Sequence, residues 1–215
     1  NLGIAYETLG KDEEALDCFI KLVKYKGQDP ESHNKLGSLL ARLGRLDTAL
    51  KSFNKSISLN PTHVDAHANL ARALQGLGRF EEAVESFKKS LEIEANDAVT
   101  HNDLAIALSR SGRLDEAIKD YDEVISLDSS IVEAYFGRGR VHSARGRYSQ
   151  AISDFSVVIR QLPDIPGTYA VRAVAYAHMG DEVNADTDLS KAVALGYIDV
   201  EALRRDIQMA KGDSE

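Results

Sequence analysis

The chain has 215 residues and a formal net charge of −8, and 43% of its residues are hydrophobic. The hydrophobic share is that of ordinary globular proteins, which excludes a chain that is disordered throughout. Binding to a phosphate backbone needs a basic surface, so this acidic chain is not expected to bind nucleic acid. No apolar run approaches the roughly 18 residues of a membrane span, so membrane insertion is not expected either.

The number of cysteines and the identity of the first residue bear on the cellular compartment and on whether the sequence is part of a longer protein. Cys18 is the only cysteine of the sequence, which excludes an intrachain disulfide and a multi-thiolate metal site. This usage favours a reducing, cytoplasmic compartment without determining it. The sequence begins with Asn1 rather than Met, and we interpret it as a mature product or an excised piece of a longer protein.

A period of 34 residues runs through the whole sequence, and such a fixed period is the signature of a repeat array. Glycine recurs at this interval, alanine follows each glycine after five residues, and an aromatic residue or leucine follows four residues later. The glycines are Gly10, Gly44, Gly78, Gly112, Gly146 and Gly180, the alanines are Ala15, Ala49, Ala83, Ala117, Ala151 and Ala185, and the third series is Phe19, Phe53, Phe87, Tyr121, Phe155 and Leu189.

The repeat boundaries follow when Pro30 is taken as the first position of a repeat. Residues 1–29 are then a partial repeat that lacks its first five positions. A helix over 200–211 with an apolar stripe and a polar outer side is predicted to cap the array, because an array must end in water. The tail 212–215 is expected to be disordered. The complete repeats between these ends are 30–63, 64–97, 98–131, 132–165 and 166–199.

Each repeat is predicted to contain two helices, as 30–63 illustrates. Apolar residues from Leu36 to Leu43 recur at three- and four-residue spacing and predict the first helix. Gly44 ends this helix because glycine tolerates the left-handed conformation. The second helix follows, and Asn60-Pro61 closes the repeat because proline cannot continue a helix. One such hairpin cannot bury its apolar side alone, so neighbouring hairpins must stack.

The pattern of small, apolar and aromatic positions within a repeat resembles that of the tetratricopeptide repeat family. In the repeat 30–63 the matching residues are Leu36, Gly37, Leu40, Gly44, Ala49, Phe53 and Pro61. The resemblance implies an all-α fold, a right-handed α-solenoid superhelix with a concave groove lined by the first helix of each repeat. It implies a protein-interaction scaffold or adaptor that binds a partner's peptide segment, and neither an enzyme nor a cofactor site.

The family resemblance places positions 2, 5, 9, 12 and 13 of each repeat on the concave side. We predict that asparagines there or nearby bind a peptide backbone, that arginines bind acidic groups, and that apolar residues complete the surface. A partner segment with acidic and apolar side chains would suit it. Arginines that are merely solvated or paired within the chain are the alternative. The residues are Asn34, Asn69 and Asn102, then Arg42, Arg72, Arg110 and Arg140, then Ile106, Phe136 and Val174.

The seventh position changes from leucine in the early repeats to Arg138 and Arg172 in the later ones. Eighteen residues before each arginine, at position 23 of the preceding repeat, lie Asp120 and Asp154. Both positions fall where the second helix of one repeat meets the first helix of the next, a boundary that we call the seam. An arginine that is half-buried there needs an ionic partner. We therefore predict the structural salt bridges Asp120–Arg138 and Asp154–Arg172, against the alternative of independent exposed charges.

Three histidines occupy the fourth position of successive repeats, at His33, His67 and His101. Equivalent positions on stacked helices lie about 8–10 Å apart, and zinc binds nitrogen at about 2 Å, so these imidazoles cannot share one ion. We predict packing roles for them and no metal site. The sequence also has no recognisable catalytic motif.

Two other hypotheses remain open. The partial first repeat suggests a substrate-recruiting or regulatory module excised from a larger enzyme, since the family includes arrays fused to glycosyltransferases and phosphatases. The same end lacks a cap, so Leu2, Ile4 and Ala5 would be exposed and the array could assemble with another copy of itself.

Overall fold

A computed structural model describes residues 2–212, apart from the side chains of Ile4 and Glu7. Thirteen α-helices and no strand are present in this range. The helices are α1 Leu2–Thr8, α2 Asp12–Tyr25, α3 Pro30–Arg42, α4 Leu46–Leu59, α5 Val64–Gly76, α6 Phe80–Ile93, α7 Ala98–Arg110, α8 Leu114–Leu127, α9 Val132–Ala144, α10 Tyr148–Gln161, α11 Pro166–His178, α12 Glu182–Ala194 and α13 Val200–Gly212.

The chain divides into two compact units, the first ending at Gly112 and the second beginning at Arg113. Within the first unit, each of the helices α1 to α7 packs on the next one along the chain, and α5 also contacts α3 and α7. Within the second unit, α8 to α13 pack in the same sequential manner, and α11 also contacts α9 and α13. The predicted all-α solenoid of stacked helical hairpins is therefore confirmed.

The turn inside each hairpin depends on its glycine. Gly44 has a φ of +74°, and the following Arg45 amide donates to the Leu40 carbonyl at 2.8 Å. A side chain is strained in this left-handed conformation, whereas glycine adopts it freely. The other five glycines of the series also have positive φ angles, between 68° and 85°.

The core is built from the periodic alanines and aromatics. All six alanines of the series are fully buried, as are Phe53, Phe87 and Phe155 to within 1%. A Cβ atom placed on Gly37 would lie 2.6 Å from the Phe53 ring, so the aromatic packs directly against the backbone of the first helix. Small residues therefore let two helices approach closely, and the aromatic fills the space beside them.

The two ends of the described chain differ. Leu203, Ile207 and Ala210 of α13 are buried in a cluster with residues of α11 and α12. Helix α13 includes Gly212, so the prediction of disorder is wrong for that residue, and the rest of the predicted tail, 213–215, lies outside the described residues. At the other end Leu2 is 63% exposed and Ala5 is also exposed, while the predicted exposure of Ile4 falls outside the described side chains.

Both arginines of the seam are paired, but with other carboxylates than predicted. Arg138 donates from Nε and Nη2 to Asp154 at 3.0 and 2.7 Å, and from Nη1 to Asp122. The predicted Asp120–Arg138 pair is therefore wrong. Asp154 lies at position 23 of the same repeat as Arg138, and Asp122 at position 25 of the preceding one.

Arg172 repeats this arrangement one repeat later. It donates from Nε and Nη2 to Asp188 at 2.7 and 2.8 Å, and from Nη1 to the Ser156 hydroxyl at 2.9 Å. The predicted Asp154–Arg172 pair is therefore also wrong. Positions 23 and 25 are about 200° apart around a helix, so position 23 faces its own repeat's first helix while position 25 faces the next repeat.

The ion pairs Arg138–Asp154 and Arg172–Asp188 are largely shielded from solvent, whereas the Asp122 side chain is 54% exposed. Asp154 and Asp188 are 4% and 3% exposed. Hydrogen bonding to the two carboxylates, before any other cause, raises the pKa of Arg138 and of Arg172, so both arginines remain charged. The Arg172 guanidinium also lies 5.6 Å from the centre of the Tyr176 ring, within the range of a cation–π contact.

The histidines at position 4 bind the backbone at the end of the preceding repeat. The Nε2 atoms of His33, His67 and His101 lie 2.9–3.2 Å from a carbonyl oxygen six residues upstream. The Tyr169 hydroxyl donates to the Pro163 carbonyl at the same position of a later repeat, at 3.0 Å. Between residues 2 and 212 the structure contains no group of three or more His, Cys, Asp or Glu placed to hold a metal ion.

Replacing His67 by alanine should lower the free energy of unfolding by about 1–2 kcal/mol, because a carbonyl would lose its partner. His67 is 8% exposed and lies 2.9 Å from the Pro61 carbonyl. The His67→Tyr variant is the matched control, since Tyr169 makes the same bond, and it should lose less stability than the alanine variant. Urea denaturation followed by circular dichroism measures both, and equal stability of the alanine variant and wild type would contradict this role.

Candidate functional site

In the first unit, three of the side chains predicted to bind a peptide are hydrogen-bonded to one another. The Asn69 amide donates to the side-chain oxygen of Asn34 at 3.1 Å and to the Ser38 hydroxyl at 3.3 Å. Arg72 donates to Asn69 at 3.1 Å and to Asp103 at 2.6 Å. Asn34 is only 5% exposed, so in this conformation it does not offer its amide to a peptide.

The other predicted residues of the first unit differ in their partners and in their exposure. Arg42 pairs with Asp12 at 2.7 Å, and the Arg110 guanidinium lies 5.0 Å from the centre of the Phe80 ring. Ile106 is 41% exposed, and Asn102 is half-buried. Three of the four predicted arginines, counting Arg72, thus already have partners within this unit.

The second unit contains a cavity of about 310 Å³ among α9, α10, α11 and α13. Its lining has three parts. The apolar part consists of Phe155, Ala170, Val171, Val174, Ala175 and Leu203, the aromatic and imidazole part of Tyr148, His178 and Tyr197, and the polar part of Arg140, Ser143 and Asp206.

Helix periodicity explains how the cavity is assembled. Residues four apart on a helix share a face, so Val174 and His178 both reach the cavity from α11. The His178 ring stacks on Tyr148 of α10, with centroids 4.3 Å apart and planes 5° from parallel. Phe136 is not among the lining residues, and its ring centroid lies 5.9 Å from that of Phe155.

Arg140 is exposed at the cavity and forms no hydrogen bond or ion pair with any residue between 2 and 212. Burial raises the pKa of the nearby Tyr121 to about 12, despite the opposing effect of Arg140, so this phenol stays neutral near pH 7. The positive charge of Arg140 is therefore open to a ligand. A carboxylate could accept two parallel hydrogen bonds from its guanidinium.

The predicted groove positions account for part of this lining. Arg140, Ser143, Ala170, Val174 and His178 all occupy positions that the family resemblance places on the concave side. Sequence reasoning missed the second-helix residues Tyr148 and Phe155, and also Tyr197, Leu203 and Asp206 near or on α13. The overlooked signal is that the 34-residue period continues past 199: a further repeat would begin at 200, and α13 takes the place of its first helix.

The fold is that of helical-repeat proteins, and it supports a protein–protein interaction module. Family models described as tetratricopeptide repeat match residues 1–29, 29–96, 62–130 and 102–166. The chain belongs to the tetratricopeptide repeat family. Proteins of this family are generally non-catalytic scaffolds, and nothing in the comparisons points to an enzymatic activity. None of the curated proteins matches the chain.

Three solved structures illustrate the similarity of fold. YrrB, described as a protein of this family with an unusual peptide-binding site, is 21% identical, with a TM-score of 0.78 over 87% of this chain and 96% of its own. A tetratricopeptide repeat protein from Parabacteroides merdae is 20% identical, with a TM-score of 0.79 over 98% and 84%. MamA from Desulfovibrio magneticus is 22% identical, with a TM-score of 0.72 over 74% and 90%.

The described residues contain no helix that is long and apolar enough to cross a membrane.

Proposed function

We propose that the second unit binds an extended peptide segment of a partner protein in the cavity beside Arg140. The observation that supports this proposal is an exposed, unpaired arginine beside an apolar lining that includes Phe155 and Val174. Arg140 binds an acidic side chain of the segment, and the apolar lining receives a neighbouring apolar side chain. The partner segment is therefore both acidic and apolar.

The size of the cavity limits what it can hold. Its volume of about 310 Å³ lies at the lower end of the roughly 300–1,000 Å³ of ligand pockets. One or two side chains of an extended segment fit such a space, whereas a folded surface does not enter it. A structurally similar protein, YrrB, is described as having a peptide-binding site, which supports this mode of recognition.

The arginines predicted in the first unit are less suited to bind a ligand, because two of them already form ion pairs. Arg72 would have to leave Asp103, and Arg42 would have to leave Asp12, before either could bind a partner's carboxylate. Exposed pairs contribute up to about 1 kcal/mol each, so breaking them would offset part of the binding energy. We propose that Arg140 contributes more than Arg42, Arg72 or Arg110.

Selection of randomised twelve-residue peptides displayed on phage, against the full chain, tests this proposal. We expect the selected peptides to contain acidic and apolar residues and to bind with a Kd measurable by fluorescence polarisation. Arg140→Glu should weaken them about tenfold or more, since a charge-assisted bond becomes a repulsion.

Arg160→Glu is the matched control for this selection. Arg160 is an exposed arginine on α10 that does not line the cavity, so its reversal changes the net charge equally and should leave the affinity unchanged. Equal affinities of the Arg140→Glu variant and wild type would overturn the proposal. The hypotheses of an enzyme-associated module and of self-assembly stay predictions, and sedimentation across concentration tests the latter.

A further inference from the structure

The side of the cavity formed by α13 carries an unpaired negative charge. Asp206 lines the cavity and is exposed, and it forms no hydrogen bond or ion pair with any residue of the described range 2–212. The same helix carries three basic residues, of which Arg205 does not line the cavity and the other two have other partners. Arg204 pairs with Glu201 at 3.1 Å and Lys211 pairs with Glu182 at 3.1 Å.

Aromatic rings line the same cavity as this carboxylate. Tyr197 precedes α13, lines the same cavity and is half-buried against the core cluster that contains Leu203. The stacked rings of Tyr148 and His178 form another part of the lining. An aromatic face next to a carboxylate is the setting in which proteins bind an ammonium or guanidinium group.

We infer, on the basis of the proposed function, that the partner segment also carries a lysine or arginine, which binds at Asp206 and Tyr197. The cavity thus presents a positive group on α9 and a negative group on α13, with the apolar lining as the third element. A segment with an acidic, an apolar and a basic side chain matches this distribution. A segment bound the other way round would place like charges together, so the two charges fix its direction.

Peptides from the selection described above test this inference. We expect them to contain a basic residue on one consistent side of the acidic one. Replacing that residue by glutamate should weaken binding to wild type about fivefold or more, which corresponds to a contact of about 1 kcal/mol. The Asp206→Lys variant should bind the original peptide about fivefold or more weakly, and it should bind the glutamate-substituted peptide better than wild type does.

Asp164→Lys is the matched control, because Asp164 is exposed, lies outside the cavity lining and gives the same change of net charge. It should leave the affinities of both peptides unchanged. Peptides that depend on Arg140 but tolerate loss of their basic residue would overturn the inference and leave the proposed function standing. Peptides insensitive to Arg140→Glu would overturn the proposed function, and the inference with it.

Discussion

The Arg172→Leu variant should lose about 3–5 kcal/mol of unfolding free energy. Arg172 donates two hydrogen bonds to Asp188, which is 3% exposed. Removing the guanidinium leaves a buried carboxylate without its counterion, and this is far more destabilising than the loss of a surface pair. Urea denaturation of the full chain, followed by circular dichroism, measures the difference.

The double variant Arg172→Leu/Asp188→Ser is the decisive control. It gives this repeat the neutral pair that the repeats 30–63 and 64–97 carry at positions 7 and 23, which are Leu36 with Ser52 and Leu70 with Ser86. Replacing both charges by compatible neutral groups is often close to neutral in free energy. We expect the double variant to regain most of the lost stability. A double variant as unstable as Arg172→Leu would show that the buried charge is not the cause.

The Phe87→Ala variant should lose about 3–5 kcal/mol of unfolding free energy. Phe87 is fully buried, and the helices around it pack through small residues that cannot move inward to fill the space. The Phe87→Leu variant should lose less, roughly 1–2 kcal/mol, because Leu189 already occupies the equivalent position of the last repeat.

Amide hydrogen exchange shows which helices lose protection in the Phe87→Ala variant. In a repeat protein each hairpin contacts only its neighbours, so the loss of protection should be largest in α5 and α6. Protection that falls most strongly in α11 and α12 instead, or equal stability of the alanine and leucine variants, would contradict this assignment of Phe87 to a local core.

The fold could be predicted from the sequence because every repeat carries the same residue types at the same turn and helix-crossing positions. A glycine with a positive φ ends the first helix, as Gly44 does, and a fully buried alanine such as Ala49 marks the helix crossing. These features depend on interactions within about 34 residues, and their repetition makes each instance visible. Stacking then follows, since a single hairpin leaves its apolar side uncovered.

The partners of the seam arginines could not be predicted with the same ease. Sequence spacing identified carboxylates near Arg138 and Arg172, but it did not say which face of the second helix each one occupies. A difference of two positions turns a side chain by about 200°, which explains why Asp122 and not Asp120 of the preceding repeat reaches Arg138. Because position 23 faces the first helix of its own repeat, Asp188 is the expected partner of Arg172. The prediction from an 18-residue spacing did not include it.

The candidate site was predicted in part for a related reason. Family positions identified Arg140 and Val174, whereas Asp206 lies on a helix for which the sequence predicted only a capping role. Its place in the cavity depends on how α13 packs against α11, which is a tertiary contact without a local signal. The bonds that occupy Asn34 and Asn69 likewise depend on neighbouring helices and not on either helix alone.

Methyl NMR of the full chain with a selected peptide tests the proposed site most directly. Val171, Val174 and Leu203 line the cavity, while Leu50 and Leu74 lie in the core of the first unit. Titration should shift the methyl signals of the first three residues in wild type, and the shifts should be much smaller at the same peptide concentration in Arg140→Glu. Saturable binding that shifts signals of the first unit and leaves those of Val174 and Leu203 unchanged would contradict a peptide site in the second unit.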